Sequence, residues 1–368
     1  MKNKGIQIPK EVVGILSALE EAGFEAYIVG GCVRDFLLGV KPKDWDVTTS
    51  ATPDQIQKIF EKSFYENDFG TVGVVTGSEE SNLKVVEVTT YRVDGEYSDA
   101  RHPDRVQFAK TLEEDLSRRD FTVNSMAIKV ESEQGKEKGI SDSSLSASHS
   151  SLIDPFSGQE DLESKIIRAV GDPEKRFKED ALRMMRAVRF IAQFSNPKSI
   201  WKIDDKTAKA IQDNCKLIQK VSQERIRDEF LKLIDSSLPD QGIEMMRELG
   251  ILEYILPELH GSYGVGQNKH HRYDVYEHSL KSLAYAADQD YTQDVRIAAL
   301  LHDIGKPDTK HGEGLNSTFY NHEVVGARIA KKILERLKFS TKQIEKITTL
   351  VRYHLFYYNV GEVTESSV

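Results

Sequence analysis

The sequence predicts an α+β region at the N-terminus followed by two helical regions. Three observations support this prediction. Short β-branched runs alternate with helical patterns over the first 130 residues. From Gly171 onward, apolar residues recur at helical spacing. Eight of the ten histidines lie between His260 and His354, so the last region differs in composition from the middle one.

Composition narrows the class of protein. The chain has 368 residues, of which 39% are hydrophobic and 30% charged, which is typical of a globular protein and excludes a disordered one. A single core stops growing at roughly 250–300 residues, so at least two domains are expected, and the three compositions indicate three. The net charge of −9 argues against a protein that coats nucleic acid. Residues 165–232, however, carry 17 Lys and Arg against 10 Asp and Glu, a local excess of +7 that favours binding of a polyanion.

The terminus and the cysteines indicate a cytoplasmic protein. The opening MKNKGIQIPK and the acidic amphipathic run that follows lack the apolar core of a signal peptide. No apolar run approaches the ~18 residues of a membrane span. Cys32 and Cys215 are too few for a disulfide framework, so a reducing compartment is expected.

The elements of the first region are predicted in chain order from periodicity and end signals. Apolar residues at helical spacing predict a helix over 10–22. A β-branched run that ends in two glycines predicts a strand over 26–29, and the helix after it stops at Gly39. A strand over 45–48 and a helix over 53–60, capped by Thr52, come next. Further β-branched runs predict strands over 71–76, 84–91 and 106–108.

Two later stretches are interpreted from composition and from apolar periodicity. Residues 131–151 are rich in Ser, Gly, Lys and Glu with almost no large apolar residue, which predicts a loop or disordered insertion. From Gly171 on, residues such as Phe177, Ala181, Met184 and Val188 recur at i, i+4 and i+7, and the chain is predicted to stay helical.

The first chemical constellation follows the first strand. Gly30 and Gly31 at a strand-to-helix turn expose backbone N–H groups, which suits the binding of phosphate. Asp44 and Asp46, two apart on a predicted strand, would place both carboxylates on one face, where they could bridge two Mg²⁺ ions. A lone D-x-D is more typical of a solvated turn, but the upstream glycines strengthen the signal. Glu87, inside a strong strand, could complete the metal site or simply face outward.

Two further polar motifs are ambiguous from spacing alone. In RRDFTVN, residues 118–124, arginines can fork onto phosphate and an Asp or Asn can accept a ribose hydroxyl, but a capped helix start has the same pattern. In EDALRMMR, residues 179–186, a single helix would align Asp180, Arg183 and Arg186 on one stripe. That stripe is either a salt-bridged solvated face or an edge that hydrogen-bonds a nucleobase, with Glu179 holding the arginine.

Together these motifs resemble the class II tRNA nucleotidyltransferases, the bacterial CCA-adding enzymes of the polymerase β superfamily. The resemblance covers about residues 24–235 and includes GGCVRDFLLGVKPKDWDV, RRDFTVN, LIDPFSGQEDL, EDALRMMR and SQERIRDEF. It implies an α+β nucleotidyltransferase head with a mixed, largely antiparallel sheet, then an all-α neck and body, and an all-α HD domain. The predicted boundaries are 1–157, 158–257 and 258–368. Phe69 stands where a histidine is expected.

The resemblance also implies roles for residues. The partners implied are tRNA, CTP and ATP, with neither DNA nor a membrane, and the cofactor is a pair of Mg²⁺ ions at the head. Asp44 and Asp46 would be the metal ligands, with Glu87 as the third carboxylate. The residues implied at the nucleotide are Gly30, Gly31, Arg34, Arg119, Asp120, Asn124, Glu179, Asp180, Arg183 and Arg186. A flexible loop over 92–105, with Asp99, Arg101 and Arg105, would serve the switch from C to A.

The histidine-rich end resembles an HD metal-dependent phosphohydrolase domain. His278 precedes the adjacent pair His302 and Asp303, and imidazole with carboxylate suits a divalent transition metal. His322 and His354 also resemble family positions and would extend the site. The usual pattern ends with a later aspartate, whereas here the last Asp is Asp308. A chain truncated relative to the family, with a ligand missing from the HD site, is therefore expected.

Several functions stay open at this point. Full CCA addition leads, with a partial enzyme that adds only CC or only A as the nearest alternative. The arginines of the 92–105 loop favour full addition, and the head motif fits poly(A) polymerases less well. A phosphohydrolase with a vestigial head and a non-catalytic tRNA-binding module are the alternatives from other classes. The complete head motifs argue against both.

Overall fold

The computed structural model describes residues 7–67, 70–94, 106–130, 150–268 and 272–355. The chain divides into two compact units. The first contains residues 1–180 and 202–207, and the second contains 181–201 and 208–368. The chain therefore passes from one unit to the other after 180, after 201 and after 207. The predicted boundaries at 157 and 257 stay predictions.

The first unit is built on a seven-stranded sheet of order β3-β4-β5-β2-β1-β8-β9. The β2–β5 pair is parallel and the other neighbours are antiparallel. The mixed, largely antiparallel sheet is confirmed. Its strands are β1 Ala26–Val29, β2 Asp46–Thr49, β3 Ser63–Asn67, β4 Thr71–Val75, β5 Val85–Thr90, β8 Ala127–Val130 and β9 Ser150–Ile153. Smaller ladders join β6 Arg92–Asp94 to β7 Val106–Phe108, and β10 Ile166–Ile167 to β11 Lys202–Ile203.

Helices cover this sheet. They are α1 Lys10–Glu21, α2 Gly31–Leu37, α3 Pro53–Ile59, α4 Leu112–Ser117, α5 Gly158–Ser164 and α6 Pro173–Glu179, with a 3₁₀ turn at Thr122–Asn124. Thr52 forms a capping box with Gln55 before α3, as the sequence indicated. A buried cluster that includes Tyr27, Tyr91 and Leu116 packs α4 onto the sheet. Arg119, two residues after α4, has its Nη1 atom beside Gly30 at the start of α2.

The second unit is all helical. Its elements are α7 Leu182–Phe194, α8 Asp205–Asn214, α9 Gln223–Ile234, α10 Pro239–Glu248, α11 Leu252–Ile255, α12 Pro257–His260, α13 Val275–Asp288, α14 Gln293–Leu301, α15 Lys306–Thr309, α16 His322–Arg336 and α17 Thr341–Arg352. The first three residues of α8 belong to the other unit. Helix α7 packs on α9 and α10, while α14 packs between α13 and α17. Within the described residues, none of the helices is long and apolar enough to cross a bilayer.

Two expectations from the sequence are corrected by the fold. The stretch 131–151 was predicted to be loop or disorder throughout, but Ser150 and Ser151 begin β9. They pair there with Val130 and Lys129 of β8. The backbone ladder satisfies their polar groups, which composition alone does not reveal. The chain after Gly171 was predicted to stay helical, but Lys202 and Ile203 form β11 beside β10.

Candidate functional site

Gly30 lies where β1 turns into α2, and the turn requires glycine. Its φ is +82° and ψ is −136°, a backbone region that side-chain-bearing residues avoid. A Cβ there would lie 2.8 Å from Nη1 of Arg119 and 3.7 Å from Oδ2 of Asp46. The structure therefore brings three of the sequence-predicted site residues together around one backbone turn.

The acidic pair is arranged differently from the sequence prediction. Asp44 lies in a bend before β2 and is exposed, whereas Asp46 is the first residue of that strand and is half-buried. The prediction that both lie on one strand is wrong, because the pairing of β2 with β5 begins at Asp46 and leaves Asp44 outside the strand. The neighbouring strand places Glu87 in register with Asp46, on the same face of the parallel pair, where it is exposed.

The electrostatics of Asp46 favour a bound cation. Burial raises the pKa of Asp46 and the nearby Asp44 carboxylate raises it further, while Arg119 opposes both effects. A cation between these carboxylates would relieve their repulsion. Among the described residues, however, the groups of three ligand atoms within 4.8 Å of one another all lie in the second unit. Asp46 and the nearby Asp44 thus fit a cation, and Glu87 lies in register with Asp46 on the neighbouring strand.

Arg34 connects the glycine turn to the RRDFTVN motif. It is 7% exposed, and its Nη1 donates to Oδ1 of Asn124 at 2.6 Å. Asn124 in turn donates through Nδ2 to Oδ1 of Asp120 at 3.1 Å. Nη2 of Arg34 also pairs with Asp35 at 2.7 Å. These contacts fix the amide and the carboxylate that the sequence assigns to the nucleotide.

Sequence reasoning missed Asp115, which organises the two arginines. Its side chain is fully buried and pairs with Nη2 of Arg118 at 2.8 Å and with Nη2 of Arg119 at 3.4 Å. Burial by itself would raise its pKa, but these guanidinium groups hold the pKa of Asp115 below its usual range. The signal was the spacing, since Asp115, in the last turn of α4, precedes the arginines by three and four residues.

A second missed network supports the RRDFTVN turn from behind. The hydroxyl of Thr122 donates to Oδ2 of Asp161 at 2.6 Å, and both side chains are buried. Arg168 pairs with Asp161 through Nε at 3.0 Å and with Asp204 through Nη1 at 2.5 Å. At Gly158 a Cβ would lie 2.3 Å from the carbonyl oxygen of Thr122, so the glycine of LIDPFSGQEDL permits this approach.

The EDALRMMR segment is not one helix, so the prediction of a single polar stripe is wrong. Helix α6 ends at Glu179, and Asp180 is extended at φ −143° and ψ 103° before α7 begins at Leu182. Aspartate favours helix ends over interiors, which agrees with a break that lacks Gly or Pro. Glu179 pairs with Arg176 at 2.7 Å. Arg183 is 8% exposed in the first turn of α7.

Arg186 is held within the second unit. Its Nη1 lies 3.8 Å from Oε1 of Glu229, whose other oxygen accepts Nε of Arg189 at 2.6 Å. Burial would raise the pKa of Glu229, but Arg189, Arg186 and Lys232 lower it overall. Asp99, Arg101 and Arg105 lie outside the described residues.

The predicted histidines converge in the second unit. Nε2 of His278 lies 3.1 Å from Nε2 of His302 and 3.5 Å from Oδ2 of Asp303. On the other carboxylate oxygen, Oδ1, Nε2 of His322 lies at 3.3 Å and Nε2 of His354 at 3.6 Å. The four histidines that the sequence singled out in this region surround the carboxylate of the fifth residue, Asp303.

The outer ring nitrogens of this cluster make the arrangement suitable for a metal ion. Nδ1 of His302, His322 and His354 donates to the carbonyl oxygens of Ala299, Phe319 and Val351 at 2.7–2.8 Å. A carbonyl only accepts, so each Nδ1 carries a proton, and each Nε2 is the ring nitrogen that faces the centre of the cluster. In metal sites, a hydrogen bond from the ring nitrogen that does not face the metal fixes the orientation of the histidine. Nε2 of His322 and Nε2 of His354 lie 3.3 Å apart, close enough for both to ligate one ion.

Lys306 was missed by sequence reasoning and also contacts the carboxylate. Its Nζ lies 2.7 Å from Oδ2 of Asp303 and 2.7 Å from Oε1 of Gln267. Burial opposes the ionised form of Asp303, but hydrogen bonds from His302 and His322, with the charge of Lys306, hold its pKa far below the usual range. The carboxylate is therefore ionised and available as a ligand.

Three domain families match the chain. They are the poly A polymerase head domain over residues 26–168, the probable RNA and SrmB binding site of polymerase A over 201–262, and the HD domain over 275–365. A CCA-adding enzyme of Ligilactobacillus salivarius is 36% identical over 344 residues, which cover 91% of this chain and 73% of that relative. The chain belongs to the CCA-adding enzyme family.

Other members of the CCA-adding enzyme family are similar over shorter spans. The enzyme of Lactobacillus helveticus is 47% identical over 220 residues, which cover 60% of this chain and 48% of that relative. For the Pediococcus pentosaceus enzyme the match covers 54% of the relative. The chain thus spans about half the length of these relatives. The CCA-adding enzyme of Bacillus stearothermophilus in complex with CTP has a similar structure, with a TM-score of 0.58 and 29% identity, over 95% of this chain and 83% of that one.

Proposed function

We propose that the protein adds C, C and A to the 3′ end of tRNA from CTP and ATP without a nucleic-acid template. The observation that carries this proposal is the convergence of Gly30, Asp46 and Arg119 in a chain of the CCA-adding family. A backbone turn, a carboxylate and a guanidinium at one point suit the triphosphate of a nucleotide. The Bacillus relative is described in complex with CTP and a Thermotoga maritima CCA-adding enzyme in complex with tRNA.

The proposed mechanism assigns work to named side chains. The 3′ hydroxyl oxygen of the tRNA attacks the α-phosphorus and gives its proton to solvent, a P–O bond forms, and the bond to the leaving pyrophosphate breaks. Two Mg²⁺ ions, held by Asp44 and Asp46 with Glu87 as the third carboxylate, would neutralise charge on the transferring phosphate. Arg119 contributes positive charge beside Gly30, and Arg34 holds Asn124 and Asp120 in position for the ribose.

The tRNA is proposed to bind the basic middle of the chain. Lys198, Lys216 and Lys220 are exposed in the second unit and form no ion pair within the described part of the chain. Each tRNA phosphate that these lysines neutralise would release counterions. The logarithm of the binding constant should therefore fall linearly with the logarithm of the salt concentration. We expect K216Q/K220Q to weaken tRNA binding and flatten that slope, whereas K331Q, on a surface outside this region, should change neither.

One gel tests the main proposal. The full chain is incubated with tRNA lacking its 3′ end and with CTP, ATP or both, and product length separates CCA, CC, A and poly(A) addition. Asp46→Asn should abolish addition while tRNA binding survives. The matched control is Asp54→Asn, an exposed acid in the first turn of α3. Equal loss in both variants, or activity in Asp46→Asn, would refute the assignment.

Nucleotide selection by Glu179, Asp180 and Arg183 stays a prediction from the family resemblance. Asp180→Ala is expected to admit UTP or GTP, and Arg183→Ala to weaken use of CTP and ATP together, since a mismatched buried group costs about 1–3 kcal/mol. Incorporation of each of the four nucleotides measures this. If both variants keep the parental preference, the selection belongs to other residues.

We propose phosphoester hydrolysis at the histidine cluster as a second activity. The observation that favours it is the convergence of four histidine Nε2 atoms on the carboxylate of Asp303. A divalent transition metal held by His278, His302, Asp303, His322 and His354 would act as a Lewis acid on phosphate. In the balanced reaction a water oxygen attacks phosphorus, the P–O ester bond breaks, and the alcohol leaves with a proton.

Metal binding and hydrolysis are tested together. Mn²⁺ uptake is followed by calorimetry, and release of phosphate from 4-nitrophenyl phosphate is followed with and without a chelator. His302→Ala should lose both, while His311→Ala, an exposed histidine outside the cluster, should keep both. Metal uptake by His302→Ala equal to that of the parent would contradict the assigned ligands.

A further inference from the structure

A cavity of about 540 Å³ opens beside the histidine cluster in the second unit. Side chains of α13 and α14 form its walls, among them Tyr285, Ala286, Val295 and Ala298. Its volume lies within the range of small-molecule sites, which is about 300–1,000 Å³. The cavity is large enough for more than a phosphate group.

The cavity and the cluster share residues. His278, His302 and His354 line the cavity, and their Nε2 atoms are the ones that surround Asp303. A phosphate at the cluster would therefore have its ester substituent at the mouth of the cavity. The rest of a substrate has this space available next to the reacting group.

The chemistry of the walls is apolar and aromatic. Tyr285 and Tyr291 line the cavity and are 62% and 46% exposed, so their rings offer uncovered faces. Of the charged side chains that line it, other than the histidines, the structure describes only Lys281, whose Nζ lies 4.8 Å from the ring centroid of Tyr273. Such walls suit an uncharged ring, and they would not compensate the charge of a polyphosphate tail.

We propose that this cavity selects phosphate monoesters whose organic part is an uncharged aromatic ring. The inference rests on the proposed second activity and names its substrate class. Tyr285 is the specificity-determining residue because its exposed ring forms a wall of the cavity and it is not one of the five residues assigned to the metal. Inorganic pyrophosphate and aliphatic phosphoesters would reach the cluster but leave the cavity unfilled.

Binding of two non-hydrolysable phosphonates tests this selection in the Mn²⁺-loaded full chain. Calorimetry should give phenylphosphonate an affinity at least about tenfold above that of methylphosphonate, because burial of a ring in an apolar cavity contributes that much. Tyr285→Ala should reduce the ratio to below about threefold, and Tyr285→Phe should restore it. Tyr65→Ala, an exposed tyrosine of the first unit, is the matched control. Rates on 1-naphthyl phosphate and glycerol 2-phosphate should follow the same order.

The outcomes separate the two proposals. Equal affinities for the two phosphonates, or a ratio that Tyr285→Ala leaves unchanged, would overturn the selection while the hydrolytic activity stands. Failure to bind Mn²⁺, or failure to bind either phosphonate, would overturn the second activity and the selection together.

Discussion

Replacing Gly30 with alanine tests whether the backbone turn holds the proposed catalytic groups, Asp46 and Arg119, in place. At φ +82° and ψ −136° an alanine is strained by about 1–3 kcal/mol. Its Cβ would also lie 2.8 Å from Nη1 of Arg119. Ordinary van der Waals contacts of a Cβ start at 3.4 Å, so the guanidinium group must move away by about half an ångström. A displacement of about 1 Å can cost a hundredfold in rate, so about a tenfold loss in kcat is expected.

Gly39 provides the control for this variant. Its φ is +71°, but a Cβ there would meet no atom of the described residues within 4 Å. Gly39→Ala should thus lose about 1–2 kcal/mol of unfolding free energy through backbone strain and keep its kcat per folded molecule. Thermal unfolding gives the folded fraction, and single-turnover addition of CTP to tRNA gives the rate. If the two variants have equal rates, Gly30 is needed only for the turn and the crowding argument is wrong.

Three more predictions concern buried groups of the first unit. Asp115→Asn should lower the unfolding free energy by about 3 kcal/mol at pH 7, because it leaves two guanidinium groups unneutralised. Since the pKa of Asp115 is lowered by folding, that difference should persist above the ordinary carboxyl pKa of about 4 and shrink as the pH falls below it. Burial raises the pKa of Cys32 to about 12, so alkylation at pH 8 should wait for unfolding. Thr122→Val should lose about 2 kcal/mol by removing the hydrogen bond to Asp161.

Each of these has a distinguishing measurement. Urea unfolding over a pH series checks Asp115→Asn, and a difference that is constant down to pH 3 would contradict the lowered pKa. Mass spectrometry after alkylation compares Cys32 with the partly exposed Cys215, and equal labelling in the native protein would contradict its burial. Thr122→Ser keeps the hydroxyl, so it should unfold close to the parent; a loss equal to that of Thr122→Val would mean that packing matters more than the hydrogen bond.

Local signals in the sequence predicted much of the first unit. The β-branched runs and their glycine ends located β1 at Ala26–Val29, and Thr52 marked the start of α3 correctly. The break at Asp180 was not predictable from pattern, because apolar periodicity continues through it and no glycine or proline marks the end of the helix. Strand β11 was missed because two residues between helical stretches have too short a pattern to detect, and a partner 36 residues upstream determines their conformation.

Local sequence patterns also predicted only part of the candidate sites. Residue types and adjacent spacing indicated Gly30, Asp46, Arg119 and the histidines, and the structure brings them together within their units. Asp115 and Lys306 were missed because the i, i+3 spacing to their partners is equally typical of solvated ion pairs, and only burial distinguishes them. Sequence motifs name the groups that touch a ligand more readily than the groups that hold them.

The return of residues 202–207 to the first unit has a consequence for building chimaeras between relatives. The short segment adds β11 to β10, and the hydroxyl of Thr207 accepts the N–H of Ala169 at 3.1 Å. A single crossover after residue 180 would join one parent's β10 to another parent's β11. A functional hybrid therefore needs three breakpoints, after 180, 201 and 207, so that the six-residue segment travels with the unit into which it folds.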